Sequence, residues 1–204
     1  MSRIRIGISA CLLGQQVRFD GGHKRDPFLT GELGKHVEWV AVCPEVEVGM
    51  GTPREAVRLV RDGERTRMVT VETGTDYTDE MNQWARRRVV ALAREDLDGY
   101  VLKKNSPSCG LLNVKVFDET DRASHHGQGL FAAVLTEQMP LLPVEEEERL
   151  SDIRLRENFV ARLFAYRRLK DHVQSGRTAG AVLAFHICLQ LQMQLCELMV
   201  RDHV

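Results

Sequence analysis

The chain has 204 residues, of which 43% are hydrophobic and 28% are charged, and its formal net charge is −1. This composition is typical of a globular protein that can bury a core without disulfides. The balanced charge gives no overall argument for a nucleic-acid partner, although a local basic face such as residues 86–88 could bind one. No run is apolar and long enough to span a membrane, and the first residues lack the apolar core of a signal peptide. We therefore expect a cytoplasmic protein with no membrane partner.

Extended and helical patterns alternate along the first 149 residues. The predicted strands are at 3–9, 37–42, 99–102 and 114–117, with a hairpin formed by 56–60 and 67–71. The predicted helices are at 27–36, 77–95 and 129–139, and the predicted loops include 44–54 and 118–127. This alternation predicts an α/β fold with a doubly wound, mostly parallel sheet and helices on both faces.

The composition changes at the four glutamates of residues 145–148, which we interpret as a solvated linker or the start of a helix. Helical patterns follow at 154–173 and 179–200, separated by a break at 175–177. The sequence therefore predicts two units. The first, residues 1–149, is an α/β domain, and the second, residues 150–204, is a short all-helical segment that forms part of a second domain.

Three of the five cysteines follow β-like runs and have a glycine or proline within three residues. They are Cys11, Cys43 and Cys109. Because parallel strands present their carboxyl ends at one edge of a sheet, we expect these three thiols to lie close together. The odd cysteine count in a chain expected to be cytoplasmic favours a metal or catalytic site over disulfides. Cys188 and Cys196 lie in an apolar helical pattern and are expected to act as small hydrophobes.

Three soft thiolates are compatible with two kinds of metal site. One is zinc, completed by water or by a histidine such as His23, His125 or His126. The other is an iron–sulfur cluster held by three cysteines, with one iron left open. The chain has no C-x-x-C pair, so the local zinc and ferredoxin spacings are absent.

Polar residues next to the cysteines are candidates for substrate chemistry. Glu45 follows Cys43 by two residues and could move a proton, although an isolated loop carboxylate is commonly just exposed. Ser106 and Ser108 flank Cys109 and could orient a substrate or only form a turn. The cations Arg54, Lys103 and Lys104 are either surface charges or attract an anionic ligand.

Three separated motifs resemble those of the thiouracil desulfidase (TudS) family. The first is SACLLG at 9–14 with VRFDG at 17–21, the second is CPE at 43–45 with TPR at 52–54, and the third is KKNSPSCG at 103–110. Further runs resemble the longer branch of the family, which is linked to the removal of sulfur from 4-thiouridine in tRNA (RudS). These runs are GLFA at 129–132, PLLPVEE at 140–146, LRENF at 155–159 and FAYRR at 164–168.

The resemblance implies a [4Fe–4S] cluster on Cys11, Cys43 and Cys109, whose open iron takes the thiocarbonyl sulfur. Water replaces the sulfur without net redox change, Glu45 acts as the acid/base residue and Ser106 helps to position the base. Ser108, Arg54 and Lys103 are the expected substrate-binding residues. The implied substrate is a small thiopyrimidine or 4-thiouridine in tRNA.

The stretch after His186 departs from the longer relatives, so we expect the second domain to be truncated. The sequence predicts neither the oligomeric state nor the ring position of the sulfur. Two other hypotheses stay open. One is a non-catalytic module in which the thiolates hold zinc or a cluster as a structural or redox-sensing element. The other is a hydrolase that uses Cys109 as a nucleophile together with a histidine.

Overall fold

The computed structural model describes residues 3–174 as two four-stranded sheets and four helices. The strands are β1 (Ile4–Ser9), β2 (Val37–Val42), β3 (Val57–Asp62), β4 (Arg65–Thr70), β5 (Gly99–Leu102), β6 (Val114–Phe117), β7 (Ala123–Gly127) and β8 (Val144–Glu146). The helices are α1 (Pro44–Glu47), α2 (Thr78–Arg94), α3 (Leu130–Gln138) and α4 (Ile153–Gln174).

The first sheet has the order β2-β1-β5-β8 and is parallel throughout. Strand β1 lies between two neighbours, so that Ile6 is opposite both Trp39 and Gly99. The chain runs from β1 to β2 on one side and later reaches β5 on the other. A crevice therefore opens beyond the carboxyl ends of β1 and β5, where ligands bind in folds of this kind.

Helices cover both faces of this sheet. On one face, α2 and α3 pack with Tyr100 and Leu102 of β5 in the larger of two apolar clusters. On the other face, Phe159 and Leu163 of α4 pack against Ile6 in the second cluster. The strands are apolar on both sides because both faces are covered. The predicted fold class, with its helical C-terminal segment, is confirmed.

The second sheet has the order β4-β3-β6-β7, and only its β3–β6 pair is parallel. The predicted hairpin and the predicted strand at 114–117 are both present in it. The sequence predicts a loop at 118–127, but the second half of this segment forms β7, so that part of the prediction is wrong. Four of the five residues of β7 are exposed, so this edge strand lacks the apolar alternation that would indicate a strand.

Three further local predictions need correction. The expected loop at 44–54 begins with α1, which is too short to show a helical period and has Pro44 in its first turn. The expected helix at 27–36 consists of one wide turn, Phe28–Glu32, and one tight turn, Leu33–Lys35. The acidic run at 145–148 is no solvated linker, because Glu145 and Glu146 are buried in β8.

Helix α4 confirms the predicted helix at 154–173. The break at 175–177, the helix at 179–200, Cys188 and Cys196 lie outside the described residues, and the division at residue 150 stays a prediction. Across residues 3–174, no helix combines the length and the apolar character needed to cross a membrane.

Gly7 in β1 makes room for a neighbouring ring. A Cβ atom there would stand 2.2 Å from Cδ2 of Tyr100, which is fully buried and has no space to withdraw. We expect Gly7→Ala to lower the free energy of unfolding by about 1–3 kcal/mol, the usual cost of overpacking a core. Urea denaturation measures this loss. Gly31→Ala is the control, since nothing lies within 4 Å of its added Cβ atom, and equal stability of the two variants would contradict the packing argument.

Candidate active site

The three predicted cysteine loops come together at one edge of the first sheet. Cys11 lies in a tight turn after β1, Cys43 directly follows β2, and Cys109 lies in the loop after β5. All three line one cavity with a volume of about 500 Å³. The second sheet forms another part of its wall, through residues such as Leu59 and Lys115.

Burial makes each of these thiols a weaker acid than an exposed cysteine. It raises the pKa of Cys11 to about 11, that of Cys43 to about 12, and that of Cys109 well above the ordinary value. The negative charge of Glu45 adds to all three shifts. Without a cationic partner the thiols therefore stay protonated. Reactive cysteine nucleophiles have lowered pKa values, so this environment does not favour the hydrolase hypothesis for Cys109.

Glu45 lies at the centre of the polar contacts in this cavity. It projects from α1 and is only 9% exposed, so it is not an exposed loop carboxylate. Its Oε1 accepts a hydrogen bond from Ser108 Oγ and another, at 3.4 Å, from Ser106 Oγ. Its Oε2 lies 3.5 Å from Cys43 Sγ and 3.8 Å from Arg54 Nη2. The carboxylate thus touches two serine hydroxyls, one thiol and one cation.

Arg54 connects this carboxylate to the segment after the first cysteine. Its Nη1 donates to the carbonyl oxygen of Val17 at 3.0 Å and to that of Gly51 at 2.9 Å. Its backbone N–H donates to the carbonyl oxygen of Phe19 at 2.9 Å. The Arg54 side chain is 8% exposed, and its buried Nε has no hydrogen-bond partner within residues 3–174. Arg54 therefore keeps one donor unused beside the cavity.

Hydroxyl and backbone groups hold the loop that carries Cys109. Ser106 Oγ accepts the backbone N–H of Cys109 at 3.0 Å, and the start of α3 supports the loop from behind. There the N–H of Gly129 donates to the carbonyl oxygen of Gly110 at 2.8 Å. A Cβ atom at Gly129 would stand 2.5 Å from the backbone of Ser108, so only glycine permits this close approach.

The predicted site residues are therefore neighbours in the structure. Seven of the eight line the cavity, namely Cys11, Cys43, Glu45, Arg54, Lys103, Ser106 and Cys109. Ser108 is fully buried behind them and reaches the site through Glu45. Lys103 forms an ion pair with Glu147, and its backbone N–H donates to Ser9 Oγ at 3.0 Å.

Several lining residues were missed by the sequence reasoning. They are mainly cationic or aromatic, namely Arg18, Phe19, Lys24, Arg58, Lys115 and Phe117. Arg18 and Phe19 belong to the first motif, so their position shortly after Cys11 could have indicated that they lie near the site. Lys115 and Phe117 belong to β6 of the second sheet, and no local pattern connects them with a cysteine.

The soft metal donors of the cavity are its three thiols. The predicted histidine ligands are not there: His125 and His126 lie on exposed β7, and His23 does not line the cavity. Across residues 3–174, no three His, Cys, Asp or Glu side chains form a group that could hold a single metal ion. Ligands of one zinc ion lie within about 4 Å of each other, whereas a cluster of several irons is held by cysteines set around a larger group. Three thiols on three loops lining one cavity are the donor set that such a cluster would use.

Comparison with known proteins agrees with this chemistry. The sequence model of the 2-thiouracil desulfurase family matches residues 6–147. The solved structure of a [4Fe-4S]-dependent thiouracil desulfidase, TudS, is similar with a TM-score of 0.61 and 33% identity, covering 76% of this chain and 99% of that one. An uncharacterized protein, YbbK of Bacillus subtilis (strain 168), is 30% identical over 108 residues, which are 50% of this chain and 71% of its own. Because the family match spans most of the described fold and all three cysteine loops, the chain belongs to the 2-thiouracil desulfurase family.

Proposed function

We propose that this protein is an iron–sulfur-dependent desulfidase that exchanges the sulfur of a thiolated uracil for oxygen. The overall change is C=S plus water to C=O plus hydrogen sulfide, with no net oxidation or reduction. The observation that carries the proposal is the convergence of three thiols and a hydrogen-bonded carboxylate on one cavity. The solved [4Fe-4S]-dependent relative supports the choice of cofactor.

In this proposal Cys11, Cys43 and Cys109 would hold a [4Fe–4S] cluster. When bound, the cluster would supply a Lewis-acidic iron suited to the soft thiocarbonyl sulfur. Because the thiols are protonated when unliganded, loading the cluster releases their protons. Each cysteine comes from a different strand end, so the site forms only in the folded chain.

Glu45 is the group that moves protons. One carboxylate oxygen is held by serine hydroxyls, which fixes the plane of the carboxylate, and the other lies on the side of Cys43 and Arg54. From this position Glu45 accepts a proton from the attacking water and returns one to the departing sulfur. Ser106 also contacts Glu45 and lines the cavity, so its hydroxyl is available to orient the pyrimidine ring.

The first test is anaerobic purification, followed by iron and sulfide analysis and addition of 4-thiouracil. We expect about four irons per chain, as in a [4Fe–4S] protein, and release of sulfide from the substrate. Cys11→Ser should lose the cluster and the activity together. Zinc in place of iron, or a reconstituted cluster without desulfuration, would support the non-catalytic module instead. Full activity of Cys11→Ser would contradict the three-cysteine site.

Glu45→Gln separates acid/base chemistry from cluster binding. The amide is nearly the same size as the carboxylate but moves no proton at neutral pH. We expect kcat to fall about 10²–10⁴-fold while the iron content is unchanged. Glu80→Gln, an exposed change on α2, serves as the control. Wild-type kcat in Glu45→Gln would remove Glu45 from the chemistry.

For the substrate, we favour 4-thiouridine in tRNA over the free base, because the charged side chains of the cavity lining are mostly cations. Its cationic side chains are Arg18, Lys24, Arg54, Arg58, Lys103, Lys104 and Lys115, and its one carboxylate is Glu45. Five of these cations form ion pairs with Asp or Glu, whereas Lys24 and Lys115 have no ion pair within residues 3–174 and leave positive charge for the RNA backbone. Lys24 and Lys115 are exposed and are suited to contact phosphate groups near the base.

Replacing Lys24 and Lys115 by glutamine tests the RNA hypothesis. We expect KM for a 4-thiouridine-containing tRNA to rise, and the slope of log KM against log salt to decrease by about 1 for each phosphate group that the variant no longer binds. KM for free 4-thiouracil should stay constant, since that substrate carries no phosphate. Lys35→Gln, an exposed lysine paired with Glu32, is the control. An unchanged KM and salt slope for the tRNA would contradict phosphate contacts by these lysines and would favour the free thiopyrimidine.

A further inference from the structure

The acidic run at the end of β8 is folded against the loop that carries Cys109. Glu146 lies in register with Leu102, the last residue of β5, and the N–H of Glu147 donates to the carbonyl oxygen of Leu102 at 3.2 Å. The two chain segments therefore leave the sheet side by side. One continues into residues 103–112 with Ser106 and Cys109, and the other is the run of glutamates.

Glu146 holds the far end of this loop. Its Oε1 accepts the backbone N–H of Leu111 at 2.8 Å and that of Leu112 at 3.2 Å. The residue is 5% exposed, so water does not substitute for the carboxylate. These two amides belong to the second and third residues after Cys109. Glu146 therefore directly restrains the backbone that follows Cys109.

Glu147 holds the near end of the same loop. Its Oε2 accepts the backbone N–H of Lys104 at 2.8 Å, and its Oε1 forms an ion pair with Lys103 Nζ. The side chains of this pair are only 14% and 11% exposed, so the interaction is less screened than a surface ion pair. The cavity-lining cation Lys103 is thus oriented by a carboxylate that does not itself line the cavity.

The other two glutamates of the run have different partners. Glu145 accepts from Arg149 Nε at 2.7 Å and lies 3.4 Å from Arg162 of α4, away from the cysteine loop. Glu148 is 61% exposed and forms an ion pair with Lys104 Nζ, without bonding the loop backbone. Within the run, Glu146 and Glu147 are the two residues whose side chains bond the loop backbone, one at each end.

We propose that Glu146 and Glu147 are positioning residues of the desulfidase site, which fix both ends of the 103–112 loop and thereby hold Cys109 and Lys103 in place. The inference rests on the proposed function for its catalytic consequence. Its structural content is independent of any cofactor, because the hydrogen bonds join groups of this chain alone. Outer carboxylates that orient ligating loops commonly change metal affinity or activity by about 10–100-fold when they are removed.

The test starts with the metal-free chain under native conditions. Alkylation of each cysteine by iodoacetamide is followed by peptide mass spectrometry in Glu146→Ala, Glu146→Gln and Glu148→Ala. We expect Glu146→Ala to raise the rate at Cys109 by about tenfold relative to Cys11 and Cys43, because the loop behind Cys109 is released. Glu146→Gln should restore most of the protection, since its amide oxygen accepts the same two N–H groups. Glu148→Ala should match the wild type.

A purely structural loss would raise the rates at all three cysteines together, and this outcome would overturn the proposal. If Glu146→Ala fails to fold by circular dichroism, Glu146→Asp replaces it, since its carboxylate is one methylene too short to reach both amides. The same variants are then reconstituted with iron and sulfide and challenged with a chelator. We expect cluster loss to be about 10–100-fold faster in Glu146→Ala than in Glu148→Ala.

For Glu147, the readout is the split between KM and kcat in the reconstituted enzyme. Glu147→Gln keeps an acceptor for the N–H of Lys104 but loses the ion pair with Lys103, so KM should rise more than kcat falls. Unchanged kinetics would remove Glu147 from the proposal. A wild-type chain that takes up no cluster would defeat the proposed function instead, while the alkylation pattern would still decide whether Glu146 positions Cys109.

Discussion

The site depends on one constraint of the backbone, which is that β2, β1 and β5 are hydrogen-bonded side by side and run in the same direction. Parallel strands end at the same edge of a sheet, so the residues that follow them have to meet there. Cys11, Cys43 and Cys109 are such residues, although 32 positions separate Cys11 from Cys43 and 66 separate Cys43 from Cys109. No local structure could bring three thiols from these distances to one cavity.

A second constraint is the burial of carboxylates around this edge. Glu45, Glu145 and Glu146 are all less than 10% exposed, and a buried charge is costly unless it is paired and hydrogen-bonded. Each finds donors of its own: hydroxyls for Glu45, arginines for Glu145 and backbone amides for Glu146. Glu45 and Glu146 take their donors from the loop that carries Cys109. The conformation of that loop therefore depends on the positions of two carboxylates from distant parts of the chain.

The match to the family ends at residue 147, within the acidic run, and α4 lies beyond it. Phe159 and Leu163 of this helix pack on the sheet face opposite α2 and α3, and its Arg162 reaches Glu145. This contact requires a glycine at position 99, because a Cβ atom there would stand 2.2 Å from Cδ2 of Leu163. The part of α4 in this contact is consequently integrated with the α/β core rather than attached by a linker.

Sequence patterns predicted the buried strands and the long helices well, because a strand covered on both faces is continuously apolar and a half-buried helix has a 3.6-residue period. They failed at β7 and α1, since an exposed edge strand and a four-residue helix carry no such period. The three cysteines and Glu45 could be singled out because each lies in a segment that follows a strand and has a proline or a glycine within three residues. The acidic run was misread, because four glutamates in sequence resemble a solvated segment when their partners are unknown.

What the sequence determined by itself was the α/β class, the residues at the strand ends and the sulfur-rich character of the site. Those properties follow from local periodicity and from residue type. Only the tertiary structure decided that none of the histidines within residues 3–174 lines the cavity, that Ser108 reaches the site through Glu45, and that Glu146 and Glu147 hold the Cys109 loop. Each of these depends on a contact between residues far apart in the chain, and the pairing of strands, not any local pattern, selects which distant groups meet.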